Sequence, residues 1–303
     1  VPALACACEH EEGVIGVTTG QAVHLLEAQR QACHPYLGWE AGFQIEPEEE
    51  VGHQLRALGI GSRDVKQVVL THLHIDHDGG LAHFSHSEIL AAGGEIDALD
   101  PGGFGAVTIT KAMTIDGGGG QVASVLVAGT NGINVQAGAS DTIILRNLRF
   151  NGLGGTVTPG LTGINFTAGK QLIVDKCELF GFNTGINASL GAGGDVTVRN
   201  TVITNTSGTG ISLTISSGKL HGSLNHVSIL GAATGVITNS LQAAVDISES
   251  SIVGVTGIGL NASSGFISSE SNVLSKNGTG VRAGAVGLVR LSNTDVFDNT
   301  VGI

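Results

Sequence analysis

Beyond about residue 92, the apolar positions of this chain follow a long repeat. Each repeat is marked by a glycine followed by isoleucine or valine. The marks are Gly132, Gly163, Gly185, Gly210, Gly235, Gly257, Gly280 and Gly302, at intervals of 31, 22, 25, 25, 22, 23 and 22 residues. Recurrence at such intervals is typical of a solenoid, in which each repeat forms one coil.

Within each repeat, the glycine mark is followed by a small polar turn and an alternating β-branched run, such as residues 195–203. A polar residue, often asparagine, follows about fifteen positions after the mark. The asparagines are Asn147, Asn200, Asn272 and Asn293, and the positions that interrupt their series are Lys176, Ser250 and the pair Asn225 and His226. Stacked asparagines predict a hydrogen-bonded ladder inside the coils, because buried amides need partners.

Residues 92–303 open with Gly93-Gly94-Glu95-Ile96 and the run 99–105, and they resemble right-handed parallel β-helix proteins of the pectate-lyase-like superfamily. The resemblance concerns architecture only. It implies a mostly β chain containing a right-handed parallel β-helix of about eight turns. The composition agrees, because the chain has 48 glycines and only 4% aromatic residues.

The first ninety residues show a different pattern, which predicts strand, strand, helix, strand. Pro47 and the acids that follow it open the helix, where the backbone dipole favours negative charge in the first turn. Val51, Leu55 and Leu58 fall on one apolar face, and Gly59 ends the helix. The apolar run Val68-Val69-Leu70 then predicts a short buried strand over residues 67–70.

A cluster of histidines directly follows that strand, in the sequence Thr71-His72-Leu73-His74-Ile75-Asp76-His77. Three imidazoles and one carboxylate within six residues suit zinc, which takes nitrogen and oxygen ligands. The predicted metal ligands are therefore His72, His74, Asp76 and His77. Their place after a strand is where α/β architectures hold their sites.

The stretch from His72 to Leu81, preceded by residues 58–60 and 64–71, resembles the metallo-β-lactamase superfamily, in particular lactonases of the N-acyl-homoserine-lactone type. The resemblance implies that His72 and His74 hold one zinc ion with a later histidine. It also implies that Asp76 and His77 hold a second zinc ion with another later histidine, and that a later aspartate bridges the two.

The chain departs from that family in two places. After Leu90 the sequence no longer resembles a metallohydrolase, so the later ligands are missing. The family's Asp-Thr-Gly is replaced by Thr18-Thr19-Gly20. We therefore expect two domains: residues 1–91, a truncated α/β segment that caps the β-helix, and residues 92–303, the β-helix itself.

The first functional hypothesis is a zinc-dependent hydrolase with an incomplete site, holding one or two zinc ions. Metal-bound hydroxide would attack a lactone, an activated ester or a phosphotriester, because all three have a polarised C=O or P=O group. Asp76 is the candidate catalytic residue, as a base or as a fourth ligand. The partner is then a small ester-like molecule, handled without strict selectivity.

Two other classes remain open. One is a non-enzymatic surface or carbohydrate-binding β-helix that carries a relic metal motif. The other is a polysaccharide lyase or hydrolase on the β-helix flank, which needs clustered carboxylates beside a basic residue. The acids of the repeats, Asp175, Asp195, Asp246, Asp295 and Asp298, are scattered singly, and we expect no arginine in register with them.

Charge and hydropathy exclude some partners. The formal net charge is −12, which disfavours nucleic acid as a partner. No apolar run approaches the ~20 residues needed to cross a bilayer, so we expect no membrane partner and a soluble protein, cytoplasmic or secreted. The open end of a solenoid also allows a homo-oligomer through the N-terminal segment.

Overall fold

The computed structural model describes residues 6–10, 13–17, 48, 50–61, 63–70, 88–91, 95–97, 102–103, 105–118 and 123–303. The chain divides into two compact units, Val1–Ile96 and Asp97–Ile303. No helix within the described ranges is both long and apolar enough to span a membrane.

The N-terminal unit contains a four-stranded sheet and a short helix, in the predicted order strand, strand, helix, strand. Its elements are β1 (Cys6–His10), β2 (Gly13–Val17), α1 (Val51–Ala57), β3 (Val65–Leu70) and β4 (Glu88–Ala91). The strands lie in the order β1-β2-β3-β4. β1 and β2 are antiparallel, whereas β3 is parallel to both of its neighbours. β3 is therefore a central strand, and its Val65 and Val68 are buried.

Helix α1 is shorter than its apolar pattern predicts. Val51 and Leu55 are buried, but Leu58 is 75% exposed, so its predicted place on the buried face is wrong. Leu58 is the C-cap, and Gly59 follows it with a φ of +80°. The amide of Gly59 donates to the Arg56 carbonyl and that of Ile60 to the Leu55 carbonyl, which is a Schellman motif.

The N-terminus of α1 also differs from the prediction. The helix begins at Val51 with Glu50 as the N-cap, and its first turn contains no acidic residue. The acidic run therefore precedes the helix instead of forming its first turn. Glu50 has extended backbone geometry and makes no side-chain capping bond.

The second unit is a parallel β-solenoid of about eight turns over residues 107–297, which confirms the predicted parallel β-helix in a mostly β chain. Its short strands are β5 (Glu95–Asp97), β6 (Gly102–Gly103), β7 (Val107–Ile109), β8 (Met113–Asp116), β9 (Ala123–Leu126), β10 (Ile133–Gln136), β11 (Thr142–Arg146), β12 (Leu148–Asn151), β14 (Gln171–Asp175), β15 (Glu178–Phe180), β21 (Ser251–Val253), β23 (Val273–Ser275) and β25 (Asp295–Phe297). The first of these, β5, spans the division between the two units. Its longer strands are β13 (Gly160–Ala168), β16 (Phe182–Leu190), β17 (Gly194–Thr204), β18 (Thr209–Ile215), β19 (Leu220–Leu230), β20 (Thr234–Ser248), β22 (Ile258–Glu270) and β24 (Thr279–Ser292).

Each coil contributes strand segments to three parallel sheets, which we call faces A, B and C. Face A contains β7, β10, β13, β16, β18 and the first parts of β20, β22 and β24. Face B contains β8, β11, β14, the first parts of β17 and β19, and the second parts of β20, β22 and β24. Face C contains β9, β12, β15, the last parts of β17 and β19, β21, β23 and β25.

Alternate residues of every face point inwards and form one continuous apolar core. On face A the inward position is a fully buried isoleucine in several successive coils, including Ile164, Ile186 and Ile211. Three phenylalanines, Phe150, Phe166 and Phe182, are among the largest side chains that the coils bury completely. Stacking of coils thus buries apolar area that one repeat alone would leave exposed.

The glycine marks form a column in which each glycine lies against the carbonyl of the glycine one coil further along. A Cβ on Gly210 would lie 2.7 Å from the carbonyl oxygen of Gly235, which is too close for any residue but glycine. The mark predicted at Gly257 is wrong, because the partner of Gly235 in this column is Gly259. The register pairs Val236 with Leu260, so the inward residue of that coil is Leu260 and not Ile258.

The asparagine series was predicted as a single interior ladder, and three of its four members lie elsewhere. Asn147, Asn200 and Asn293 have φ values of 55°, 50° and 44° and occupy the corner between faces B and C. That corner needs a left-handed backbone, which asparagine tolerates better than most residues. Lys176 and His226 occupy the same left-handed corner position, so they continue that series and do not interrupt it.

Asn272 lies one position further, inside the coil. It is 2% exposed and accepts a hydrogen bond from the Ser250 amide at 2.7 Å. Its own amide donates to the Ile247 carbonyl and to Ser269 Oγ. Ser250, predicted as an interruption, is thus part of the interior ladder, and its Oγ accepts from the Val227 amide at 2.9 Å.

Candidate functional site

Strand β3 leads directly into the histidine cluster, since it ends at Leu70, one residue before Thr71. The turn that starts β3 is fixed by Asp64, whose Oδ2 accepts from the Gly61 amide at 2.8 Å. Val65 and Val68 are 1% and 0% exposed. Burial of these side chains and pairing on both edges hold β3 firmly.

The parallel register brings the carboxyl ends of three strands to one edge of the N-terminal sheet. Val17 of β2 pairs with Val69 of β3, and Leu70 pairs with Ala91 of β4. The carboxyl ends of β2, β3 and β4 therefore lie at the same edge. This edge is where ligand sites of open α/β sheets form.

The predicted metal ligands themselves, His72, His74, Asp76 and His77, lie outside the described residues, as does Thr18-Thr19-Gly20. Among the residues that the structure does describe, no three His, Cys, Asp or Glu side chains come together as a metal site. As a donor set, three imidazoles and one carboxylate match the ligands of zinc.

Comparison with known families gives one match. Residues 37–113 match the model of the metallo-beta-lactamase superfamily, and this range contains α1, β3 and all four predicted ligands. Members of this superfamily usually bind zinc, and the match suggests a metal-dependent hydrolase. The N-terminal segment is thus metallo-β-lactamase-like. A search of curated proteins found no match.

The solenoid flank carries a column of alternating charges that the sequence pattern did not reveal. The column runs through Asp116, Arg146, Asp175 and Arg199, which are neighbours on successive coils of face B. Arg146 pairs with Asp116, and Arg199 Nη2 lies 3.1 Å from Asp175 Oδ2. The expectation that no arginine stands in register with the acids is therefore wrong.

The environment of Asp116 perturbs its acidity. Partial burial acts to raise the pKa of this carboxyl, but hydrogen bonds from Asn147, from the Gly118 amide and from Arg146 outweigh burial and hold the pKa below its usual 3.8. Asn147 Nδ2 donates to Asp116 Oδ1 at 2.7 Å, and Asn200 Nδ2 donates to Asp175 Oδ1 at 3.0 Å. The same Asp, Arg and Asn arrangement thus occurs twice.

Two histidines of the solenoid have carboxylate partners on the next coil. His221 Nε2 lies 2.8 Å from Asp246 Oδ2, and His226 Nδ1 lies 3.2 Å from Glu249 Oε2. All four side chains are about half exposed. Each pair offers only two possible metal ligands and is open to water. We therefore interpret both pairs as polar surface contacts.

The cysteine of the solenoid, Cys177, is poorly suited to chemistry. Cys177 is 3% exposed, and burial raises the pKa of its thiol to about 12. A buried thiol that stays protonated at neutral pH is a poor nucleophile and metal ligand. The site that residue chemistry supports is therefore the histidine cluster after β3.

Proposed function

We propose that this protein is a metal-dependent hydrolase that acts on small lactones, activated esters or phosphotriesters. The observation that carries the proposal is the superfamily match over residues 37–113, because it includes the whole histidine cluster. The position of β3 supports it: β3 is a central strand that ends at the same edge as β2 and β4, and the histidine cluster directly follows it in the sequence.

In this proposal, His72, His74 and His77 hold zinc and Asp76 is either a fourth ligand or a base that accepts a proton from water. When bound, zinc lowers the pKa of its water ligand and polarises the substrate oxygen. A catalytic zinc site needs about three protein ligands and one open position, which this set supplies. Replacement of the family's aspartate by Thr18 leaves the site less charged, consistent with loose substrate selectivity.

The test is the double variant His72→Ala/His74→Ala. We expect zinc per chain to fall at least about fivefold and kcat/KM for p-nitrophenyl acetate and for a homoserine lactone to fall at least about hundredfold. Treatment with o-phenanthroline should lower the activity of the unmodified protein similarly, and added zinc should restore it.

The matched control is His221→Ala/His226→Ala, which removes two exposed histidines of the solenoid. Its zinc content and activity should stay within about twofold of the unmodified protein. Full activity in the His72→Ala/His74→Ala variant, or full activity after chelation, would contradict the proposal.

A second candidate is a non-enzymatic β-solenoid with a relic metal motif. It is favoured by the short range of the match, which ends at residue 113, where the solenoid has already begun. This candidate predicts less than one zinc per chain and no turnover of any of the three substrate classes. Zinc analysis by mass spectrometry on the unmodified protein distinguishes the two.

The polysaccharide lyase hypothesis has less support from the structure. Arg146 and Arg199 are each paired with an aspartate, so neither guanidinium is a free base. The described part of the solenoid also lacks the grouped carboxylates that calcium needs.

A further inference from the structure

Six successive coils of face A have an uncharged outer surface, although the chain carries a net charge of −12. In this described part of the solenoid, Asp, Glu, Lys, Arg and His are all absent from the face A segments 133–136, 160–168, 182–190, 209–215, 234–239 and 258–263. Arg282 of β24 is the first charged side chain on the face. We call the outward side of these six segments the neutral face.

A column of threonines runs up the neutral face. Thr162, Thr184, Thr209 and Thr234 are neighbours in register on four successive coils, and each is half-buried. Their spacing along the solenoid is about 4.8 Å, the distance between strands. Because threonine is β-branched, its χ1 is restricted, and the hydroxyls are held in place before any partner binds.

A second column, three residues further along each strand, consists of amides and hydroxyls. Asn187 Nδ2 donates to Asn165 Oδ1 at 2.9 Å, and Asn165 Nδ2 donates to Asn134 Oδ1 at 3.2 Å. Ser212 continues this column on the next coil. Asn165 and Asn187 each keep one N–H and at least one oxygen lone pair for a partner. Asn134 keeps only its N–H groups, because its Oδ1 accepts from both Asn165 and Asn131.

The chemistry of the neutral face restricts what it can bind. A charged partner would lose water without gaining a counter-charge, and an apolar partner would leave the threonine and asparagine groups unsatisfied. A partner rich in hydroxyl groups can donate to and accept from both columns. Because the columns are already ordered, little side-chain entropy is lost on binding.

From these observations we infer that the neutral face binds an uncharged glycan chain lying along the solenoid axis. The inference does not depend on the hydrolase proposal, since it uses other residues. An ordered ice surface is the less favoured partner, because the columns are interrupted by Ile237 and Ile258 and an ice plane needs an unbroken two-dimensional match. A glycan can bind over a few coils only.

The test is retention of the full chain on insoluble cellulose, chitin and β-1,3-glucan, with agarose-linked polygalacturonate as the charged comparison. We expect retention on at least one of the neutral glycans and none on polygalacturonate. Retention should be equal within about twofold in 0.15 M and 1 M NaCl, because screening affects only charged contacts.

Variants locate the binding surface. Thr209→Arg places a charge in the middle of the threonine column and should weaken glycan binding at least about tenfold, since the guanidinium would be buried without a partner. Thr197→Arg is its control, because Thr197 is a half-buried outward threonine in register on face B. Its affinity should change less than about twofold.

A second pair of variants tests the same surface in case the arginine variants misfold. Ser212→Asp adds a smaller charge to the neutral face, and Ser251→Asp adds the same charge to face C. Melting temperatures check that each variant is folded. The inference is overturned if no neutral glycan retains the protein, if high salt abolishes retention, if face A and control variants lose binding equally, or if the protein inhibits ice growth without binding glycan.

Discussion

Asp116 shows how one side chain depends on neighbours that are distant in sequence. Its 15% exposed carboxylate accepts hydrogen bonds from Arg146 and Asn147 of the next coil and from the Gly118 amide of its own. Charge-assisted bonds of this kind are stronger than neutral ones. Together they favour the ionised form and lower the pKa of the carboxyl, against the effect of burial.

We expect Asp116→Asn to lower the free energy of unfolding at pH 7 by about 1–2 kcal/mol, because hydrogen bonds to a charged group are lost. A lowered folded-state pKa stabilises the fold above the unfolded value of 3.8. That contribution disappears as the pH falls through the folded-state pKa. Urea unfolding at pH 7 and at decreasing acid pH should therefore show the two proteins converging in acid.

The control for this measurement is Asp295→Asn, since Asp295 is an exposed carboxylate of β25. Its stability should differ by less than about 0.5 kcal/mol at either pH. An Asp116→Asn deficit that stays constant between pH 7 and pH 2 would show that ionisation of Asp116 is not what stabilises the fold.

At the scale of elements, the glycine column sets how closely successive coils of face A approach. A Cβ added to Gly210 would lie 2.7 Å from the Gly235 oxygen and 3.0 Å from Ile229 Cγ2. Neither atom can move without shifting a strand or a fully buried side chain. Close approach of backbones, more than flexibility of the chain, explains why this position is glycine.

Gly210→Ala should therefore lower the free energy of unfolding by about 1–3 kcal/mol, the usual cost of overpacking. Gly191→Ala is the matched control, because no atom lies within 4 Å of a Cβ added at Gly191. That control should change stability by less than about 0.5 kcal/mol. Equal losses for both, measured by urea denaturation, would rule out close packing as the reason for the column.

At the scale of the whole molecule, the solenoid has its own sources of stability. The solenoid is stabilised by one continuous apolar core and by interior amide ladders such as that of Asn277, whose Oδ1 accepts from the Val255 amide at 2.9 Å. No cluster of three His, Cys, Asp or Glu side chains that could hold a metal ion occurs in its described coils. Removal of metal should therefore leave the folding of the coils unchanged.

Hydrogen–deuterium exchange with and without o-phenanthroline tests this statement. Peptides from residues 131–297 should exchange at the same rates in both conditions, within about twofold. Peptides that contain His72 to His77 should exchange faster after chelation if zinc is bound there. Faster exchange throughout the solenoid would show that its folding depends on metal.

The sequence by itself determined the coil count, the parallel β architecture and the histidine cluster after a strand. Each of these follows from local pattern: a repeat interval, an alternating apolar run, and ligand types within one turn. The helix end at Gly59 was also predictable, since a glycine with positive φ stops a helix.

Only the tertiary structure decided the register between coils. It replaced Gly257 by Gly259 in the glycine column, separated Asn272 from the corner asparagines, and aligned Arg146 and Arg199 with aspartates. It also showed that uncharged segments of six successive coils stack on face A. Repeats here differ in length because corners absorb the extra residues, so sequence intervals alone cannot say which side chains become neighbours.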